Sequence, residues 1–225
     1  RDPSLLLAIS LSLQAELFLS CSDTPAITIS SMTEIAKQKQ ALRIELLDAR
    51  RTRSPEEKAT ADAAWCNAAA QLLSPDMQVA AYNPLGSEPG GSEFVHTLAQ
   101  ACKAVYLPIS GDDGQLYWAL YEGPESLQPG ALGIAEPTGE RFPSSILAEL
   151  DFIFAPAMAV DKSGYRLGKG AGYYDRALTP LVPGKPKVIA MVHSSEVRDV
   201  PKEEHDRPVD VILTERGLVD IEPDV

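Results

Sequence analysis

Three short stretches of this chain, 151–155 (DFIFA), 188–192 (VIAMV) and 209–213 (VDVIL), are almost wholly apolar. They are too short for helices that bury a face, and they lack the alternation of a strand with one wet side. Such runs fit strands covered on both faces, the habit of parallel sheets between helical layers. Further strand-like runs fall at Met77–Tyr82, Val105–Ile109 and Leu116–Tyr121. Helical stretches alternate with them: Thr33 to about Arg53 with Ile35, Leu42 and Leu46 on one face, Ser92–Lys103, and a short one near Ser144–Leu150. Ser54-Pro55-Glu56-Glu57 starts another helix, running to about Leu73. Ser54 is placed to cap, Pro55 to fill the first position and Glu57 to close a capping box. This alternation predicts an α/β fold, a single layered domain with a mostly parallel central sheet flanked by helices. Tight turns are expected at Gly111-Asp112-Asp113-Gly114 and Pro129-Gly130.

A length of 225 residues, 44% of them hydrophobic, supplies one core of that kind. The formal charge of −12 argues against a nucleic acid or an anionic membrane as partner. An anionic ligand must then be captured by a local group of cations and amides. Cys21, Cys66 and Cys102 are far apart and odd in number, which supports neither a disulfide framework nor a zinc site. Residues 4–20 are apolar but interrupted by Glu16, with Arg1 as the only cation and Asp2 cancelling it. The domain is expected over 32–225, opening at Met32, with 1–31 a leader or upstream segment that lacks order. Reduced thiols fit a cytoplasmic protein. His96 and His193 are read as ordinary surface or core residues.

The densest chemical signal is the run Arg166-Leu167-Gly168-Lys169-Gly170-Ala171-Gly172-Tyr173-Tyr174-Asp175-Arg176, placed after the 151–155 strand and leading into a helix near Gly172. Glycines admit positive φ and close approach to a ligand. Amides at a helix start favour an anion. Arg166 and Lys169 flank them, so a phosphate-holding loop is the functional reading. The spacing is not that of a Walker loop, and a dinucleotide fingerprint would follow the first strand rather than a late one. Lys39 and Arg43, four apart on the first helix, project from one face. In isolation such a pair is more often a solvated face than an anion site.

RLGKGAGYYDR, preceded by FAPAMAVDKSGY, resembles the signature of the 5-formyltetrahydrofolate cyclo-ligase (5,10-methenyltetrahydrofolate synthetase) family. Lys39-Gln40-Ala41-Leu42-Arg43 is similar to that family's N-terminal K-x-x-L-R. Tyr82-Asn83-Pro84-Leu85-Gly86-Ser87-Glu88 resembles its second-strand segment, and His205-Asp206-Arg207-Pro208-Val209-Asp210 its C-terminal HDxPxD element. Together they span about residues 37–215. The resemblance implies ATP-dependent closure of 5-formyltetrahydrofolate to 5,10-methenyltetrahydrofolate with release of ADP and phosphate, and Mg²⁺ beside the nucleotide. It further implies ATP contacts at Lys39, Arg43, Arg166, Leu167, Gly168, Lys169, Gly170, Ala171, Gly172, Tyr173 and Tyr174, with Lys169 as the catalytic cation. Asn83, Glu88 and Tyr173 would meet the folate, and Asp175 and Asp206 the metal. Tyr174 has a competing role in the core, and Glu136-Pro137 matches a family element without an assigned role. The chain is expected to act as a monomer in the cytoplasm. A binder of folate or nucleotide without turnover is the alternative, hinted at by Ala171 and by Pro89-Gly90-Gly91. The joint presence of Lys39, Arg43, Arg166, Asp175 and Asp206 favours catalysis.

Overall fold

The computed structural model describes residues 33–130, 133–203 and 206–222. The expected leader 1–31, Cys21, Met32 and His205 lie outside them. The described residues fall into two units, divided between Lys37 and Gln38. Of the first, Thr33–Lys37 are described: Thr33 Oγ1 accepts from the Ala36 amide at 3.2 Å, capping the helix that starts there.

That helix, α1 (Glu34–Arg51), buries Lys39, Leu46 and Arg50. Leu46 and Leu42 pack on Met158, Ala159, Leu167 and Val200. Ile35, expected on the same face, is 37% exposed. The difference has a simple cause. The inward stripe runs through Lys39, Arg43, Leu46 and Arg50 at helical spacing, so cations occupy positions where an apolar pattern was sought. Helix α2 (Pro55–Gln71) starts as its sequence dictates, with Ser54 Oγ accepting from Glu57 N at 3.1 Å and Glu57 Oε2 from Ser54 N at 2.9 Å.

Among the described residues the main sheet has the order β12-β11-β10-β7-β1-β2-β3-β6. Its strands are β1 (Gln78–Ala80), β2 (Ala104–Ser110), β3 (Leu116–Leu120), β6 (Phe142–Pro143), β7 (Phe152–Pro156), β10 (Lys187–Met191), β11 (Val211–Thr214) and β12 (Gly217–Val219). The five central strands, β11 through β2, are mutually parallel, and the three edge pairings are antiparallel. Helix α3 (Phe94–Ala101) carries the crossover from β1 to β2. Two short pairs lie outside the sheet, β4 (Leu127–Pro129) with β5 (Ala135–Pro137), and β8 (Ala159–Val160) with β9 (Arg166–Leu167). A last helix, α4 (Tyr173–Leu178), follows β9.

The apolar runs are buried on both faces, as expected. Phe154, Ile189, Met191 and Leu213 join Trp65, Phe94 and Leu98 on the α2–α3 side. Their sequence neighbours Ile153, Ala155, Val188, Ala190 and Ile212 join Trp118, Leu147, Ala177 and Leu178 on the other. Each fully buried aliphatic side chain stabilises the fold by about 1.5–3 kcal/mol. Val209, expected in the last of these strands, instead gives its amide to Gly164 O at 2.9 Å.

From β1 the chain crosses to β2 on one side, and from β7 it moves to β10 and β11 on the other. β1 and β7 are neighbours. Their connections diverge, which opens a crevice beyond their carboxyl ends, the place where open α/β sheets take ligands. Among the described residues no helix is long and apolar enough to cross a membrane.

Candidate active site

The crevice is a cavity of about 300 Å³. Its walls come from the ends of β1 (Tyr82, Asn83, Glu88), β2 (Pro108, Ser110) and β7 (Pro156, Ala157). Lys39 and Arg43 of α1, Glu136 of β5, the loop 166–175, Glu203 and Asp206 complete the lining. Segments far apart in sequence thus meet around one space.

The glycine loop is fixed by its carbonyls. Arg43 Nε donates to Gly168 O at 2.8 Å. Arg176, which the sequence reading did not single out, donates to Ala171 O at 3.1 Å and from two nitrogens to Gly114 O, at 2.6 and 3.0 Å. Arg176 therefore clips the loop to the expected Gly111–Gly114 turn. No acceptor among the described residues binds the amides of residues 168–172. Gly170 has φ 105°, and a Cβ there would lie 3.3 Å from Arg43 Cζ. Gly172, at φ 71°, begins α4 in the left-handed region. A Cβ at Gly172 would fall 2.7 Å from Arg176 Nη1, so both positions need glycine for backbone angle and for a neighbouring arginine.

The four cations are present, each with a polar partner. Lys39, with a side chain 9% exposed, places Nζ 2.8 Å from Glu203 Oε2 and 2.7 Å from Asp206 Oδ2. Burial alone would lower its pKa, but the hydrogen bonds and charges of Asp206 and Glu203 win and raise it. Burial pushes the Arg43 guanidinium down from its usual value against the pull of Asp175, Glu203 and Asp206. Arg166 Nη2 lies 2.6 Å from Asp175 Oδ1. Its Nε is shut off from solvent and has no hydrogen-bond partner among the described residues. Lys169 Nζ, on a half-exposed side chain, pairs with buried Glu88 at 2.8 Å. Cations and amides are expected around an anion, with Asp175 and Asp206 on a metal and Glu88 on the folate; these three carboxylates pair with the cations instead. The carboxylates answer the several kcal/mol that each unpaired buried charge would cost.

Other expected residues take more particular positions. Leu167 lines the cavity, but its side chain is 1% exposed and packs with Leu46 and Met158. Tyr173 lies under the Arg176 guanidinium, 5.2 Å from ring centroid to Cζ. Tyr174 meets Trp118 edge-on at 6.1 Å, and its hydroxyl is buried without a partner. Burial raises that phenol's pKa and keeps it neutral. Tyr174 thus fills the core role weighed for it while its residue also lines the cavity. Asn83 Nδ2 donates to Ala135 O at 3.0 Å, and Glu88 Oε2 accepts from Leu85 N at 2.8 Å.

Asp175 and Asp206, expected as metal ligands, both line the cavity and both serve cations here. Asp175 Oδ2 and Asp206 Oδ1 have no partner among the described residues. One open oxygen from each of two carboxylates suits an ion that keeps most of its waters and shares phosphate oxygens, which is the habit of Mg²⁺. No group of three or more His, Cys, Asp or Glu side chains is arranged as an all-protein cage among the described residues.

Residues 35–215 match the sequence profile of the 5-formyltetrahydrofolate cyclo-ligase family. The chain is 37% identical over 193 residues to the 5-formyltetrahydrofolate cyclo-ligase of Mycolicibacterium smegmatis, covering 81% of this chain and 97% of that one. It is 31% identical over 139 residues to the Escherichia coli enzyme of the same name, covering 60% and 76%. The solution structure of Aquifex aeolicus 5,10-methenyltetrahydrofolate synthetase superposes with a TM-score of 0.69 at 30% identity, covering 83% of this chain and 94% of that one.

Proposed function

The chain belongs to the 5-formyltetrahydrofolate cyclo-ligase family, and on that premise we propose that it converts 5-formyltetrahydrofolate and ATP into 5,10-methenyltetrahydrofolate, ADP and phosphate. The observation that carries this reading is the meeting of Lys39, Arg43, Arg166 and Lys169, from two distant segments, around one cavity at the sheet's switch point.

In the proposed reaction the formyl oxygen takes the γ-phosphoryl group, N10 attacks the resulting iminium carbon, and phosphate departs. Phosphoryl transfer requires alignment and charge neutralisation more than covalent help. Lys39 and Arg43 bind the polyphosphate beside the amides of 168–172, and Arg166 and Lys169 neutralise charge on the transferring group. Asn83, Glu88 and Tyr173 hold the folate. Asp175 and Asp206 would hold Mg²⁺, which when bound neutralises phosphate charge. Their cationic partners would then face the nucleotide instead, so the ion pairs keep the site ordered until the ligand arrives. Two water-soluble co-substrates suit a cytoplasmic enzyme.

The full chain given 5-formyltetrahydrofolate, ATP and Mg²⁺ is expected to produce the absorbance of the methenyl product. A folded protein with no ATP-dependent absorbance change would overturn the assignment.

A further inference from the structure

Glu136 is a second buried carboxylate in the cavity wall, and unlike Glu88 it has no cation paired with it among the described residues. It stands on β5, 7% exposed. Its Oε1 accepts from Ser110 N at 3.0 Å. Its Oε2 has no partner among the described residues and is not closed off from solvent, and Glu136 lines the cavity. A buried carboxylate satisfied by one amide is an expensive arrangement unless a ligand completes it.

The surrounding hairpin is built to hold this side chain. A Cβ at Gly130 would fall 2.3 Å from Glu136 Cδ, so the β4–β5 turn passes there only because residue 130 has no side chain. Gly130 N donates to Ile134 O at 2.9 Å, and Asn83 ties the hairpin to the segment after β1 through Ala135 O. The hairpin thus fixes this side chain, with Oε2 open and a second lone pair left on Oε1.

Two carboxylate oxygens match two adjacent N–H donors. A 2-amino-4-oxopyrimidine ring, with its amino group beside a ring N–H, offers that pair. The adenine edge sets a ring-nitrogen lone pair beside its amino group and would oppose the carboxylate. We propose that Glu136 is the specificity-determining residue that receives the paired N–H donors of the folate's 2-amino-4-oxopyrimidine end, an inference that rests on the folate reading above. Glu88, neutralised by Lys169, is left nearer the glycine loop.

The test is calorimetric binding of 5-formyltetrahydrofolate and of its 2-desamino analogue to the full chain. The unaltered protein is expected to prefer the amino form by about 10- to 100-fold, the size of a charge-assisted hydrogen bond. Glu136→Gln, which keeps an acceptor for Ser110 N, should lose that preference while the KM for ATP stays within about two-fold. Equal binding of both ligands by the unaltered protein overturns the proposal whether or not the variant folds, as does retained preference in Glu136→Gln. Discrimination without turnover would remove the reaction and leave the role of Glu136, and turnover without discrimination would do the reverse.

Discussion

Lys169 Nζ lies 2.8 Å from Glu88 Oε1 and so joins the glycine loop to the segment after β1, the two stretches expected to hold different substrates. The lysine is half exposed but the Glu88 side chain is only 9% exposed, so Lys169→Ala strands a buried carboxylate. It is therefore expected to cost about 1–2 kcal/mol after allowing for solvent around the lysine, which urea denaturation measures. If the cation acts on the transferring group, kcat falls by about 10- to 100-fold with the KM for ATP within about three-fold. Steady-state kinetics at varied ATP separate the cases, since a rise in KM with kcat intact would make Lys169 a ground-state ligand.

The pairing of Asp175 with Arg166 alters what a change at the metal position should do. A loop carboxylate would be expected to leave the fold untouched. Here the Arg166 side chain is 3% exposed and Asp175 39%. Asp175→Asn leaves a buried guanidinium short of its counter-charge, at a cost of about 1–2 kcal/mol after allowing for solvent around Asp175. Urea denaturation measures that loss. A Mg²⁺ titration of activity should show a midpoint raised by about ten-fold or more, and an unmoved midpoint would remove Asp175 from the metal.

Arg50 and Glu196 form the most buried ion pair among the described residues, with side chains 1% and 3% exposed. Arg50 also donates to Ala157 O at 2.8 Å, beyond the end of β7. Glu196→Gln is expected to destabilise the fold by about 3–5 kcal/mol, because it strands the arginine. Chemical denaturation of the two proteins at neutral pH checks the figure.

His193, 3% exposed and edge-on to Trp65 at 4.7 Å, is faced by Glu196, Arg50, Arg53 and Glu215. Burial lowers its pKa to about 4, with Glu196 opposing and Arg53 and Arg50 adding to the shift. The unfolded chain binds this proton near pH 6.5, so stability is full above that value. It falls as pH drops towards 4, and the histidine's share then levels off. Stability curves between pH 7 and 4 should flatten in His193→Phe, and an unchanged slope would assign the acid limb to carboxylates alone.

The sheet was legible in the sequence because apolar runs buried on both faces have no competing use. Ser54 and Glu57 marked a helix start through local chemistry alone. The pairs β4–β5 and β8–β9 were not legible, since two or three residues carry no periodicity. Neither was the clip made by Arg176 to Gly114, a contact between loops that share no pattern. For the site, sequence motifs gathered the cavity's cations together with Asp206, Asp175 and Glu88 but not their pairing, and they missed Glu203. The joining of Lys39 to Glu203 and of Lys169 to Glu88 depends on a topology that no local spacing encodes. Glu136 stood in a recognisable element, but its role became arguable only once its open oxygen and missing cation were in view.

Helix α1 supplies Lys39 and Arg43 near the start of the domain, and their partners Gly168, Glu203 and Asp206 lie far downstream. The earliest described helix is therefore fastened by segments made late, and a chain stopped before Glu203 would leave the Lys39 ammonium without the two carboxylates that hold it.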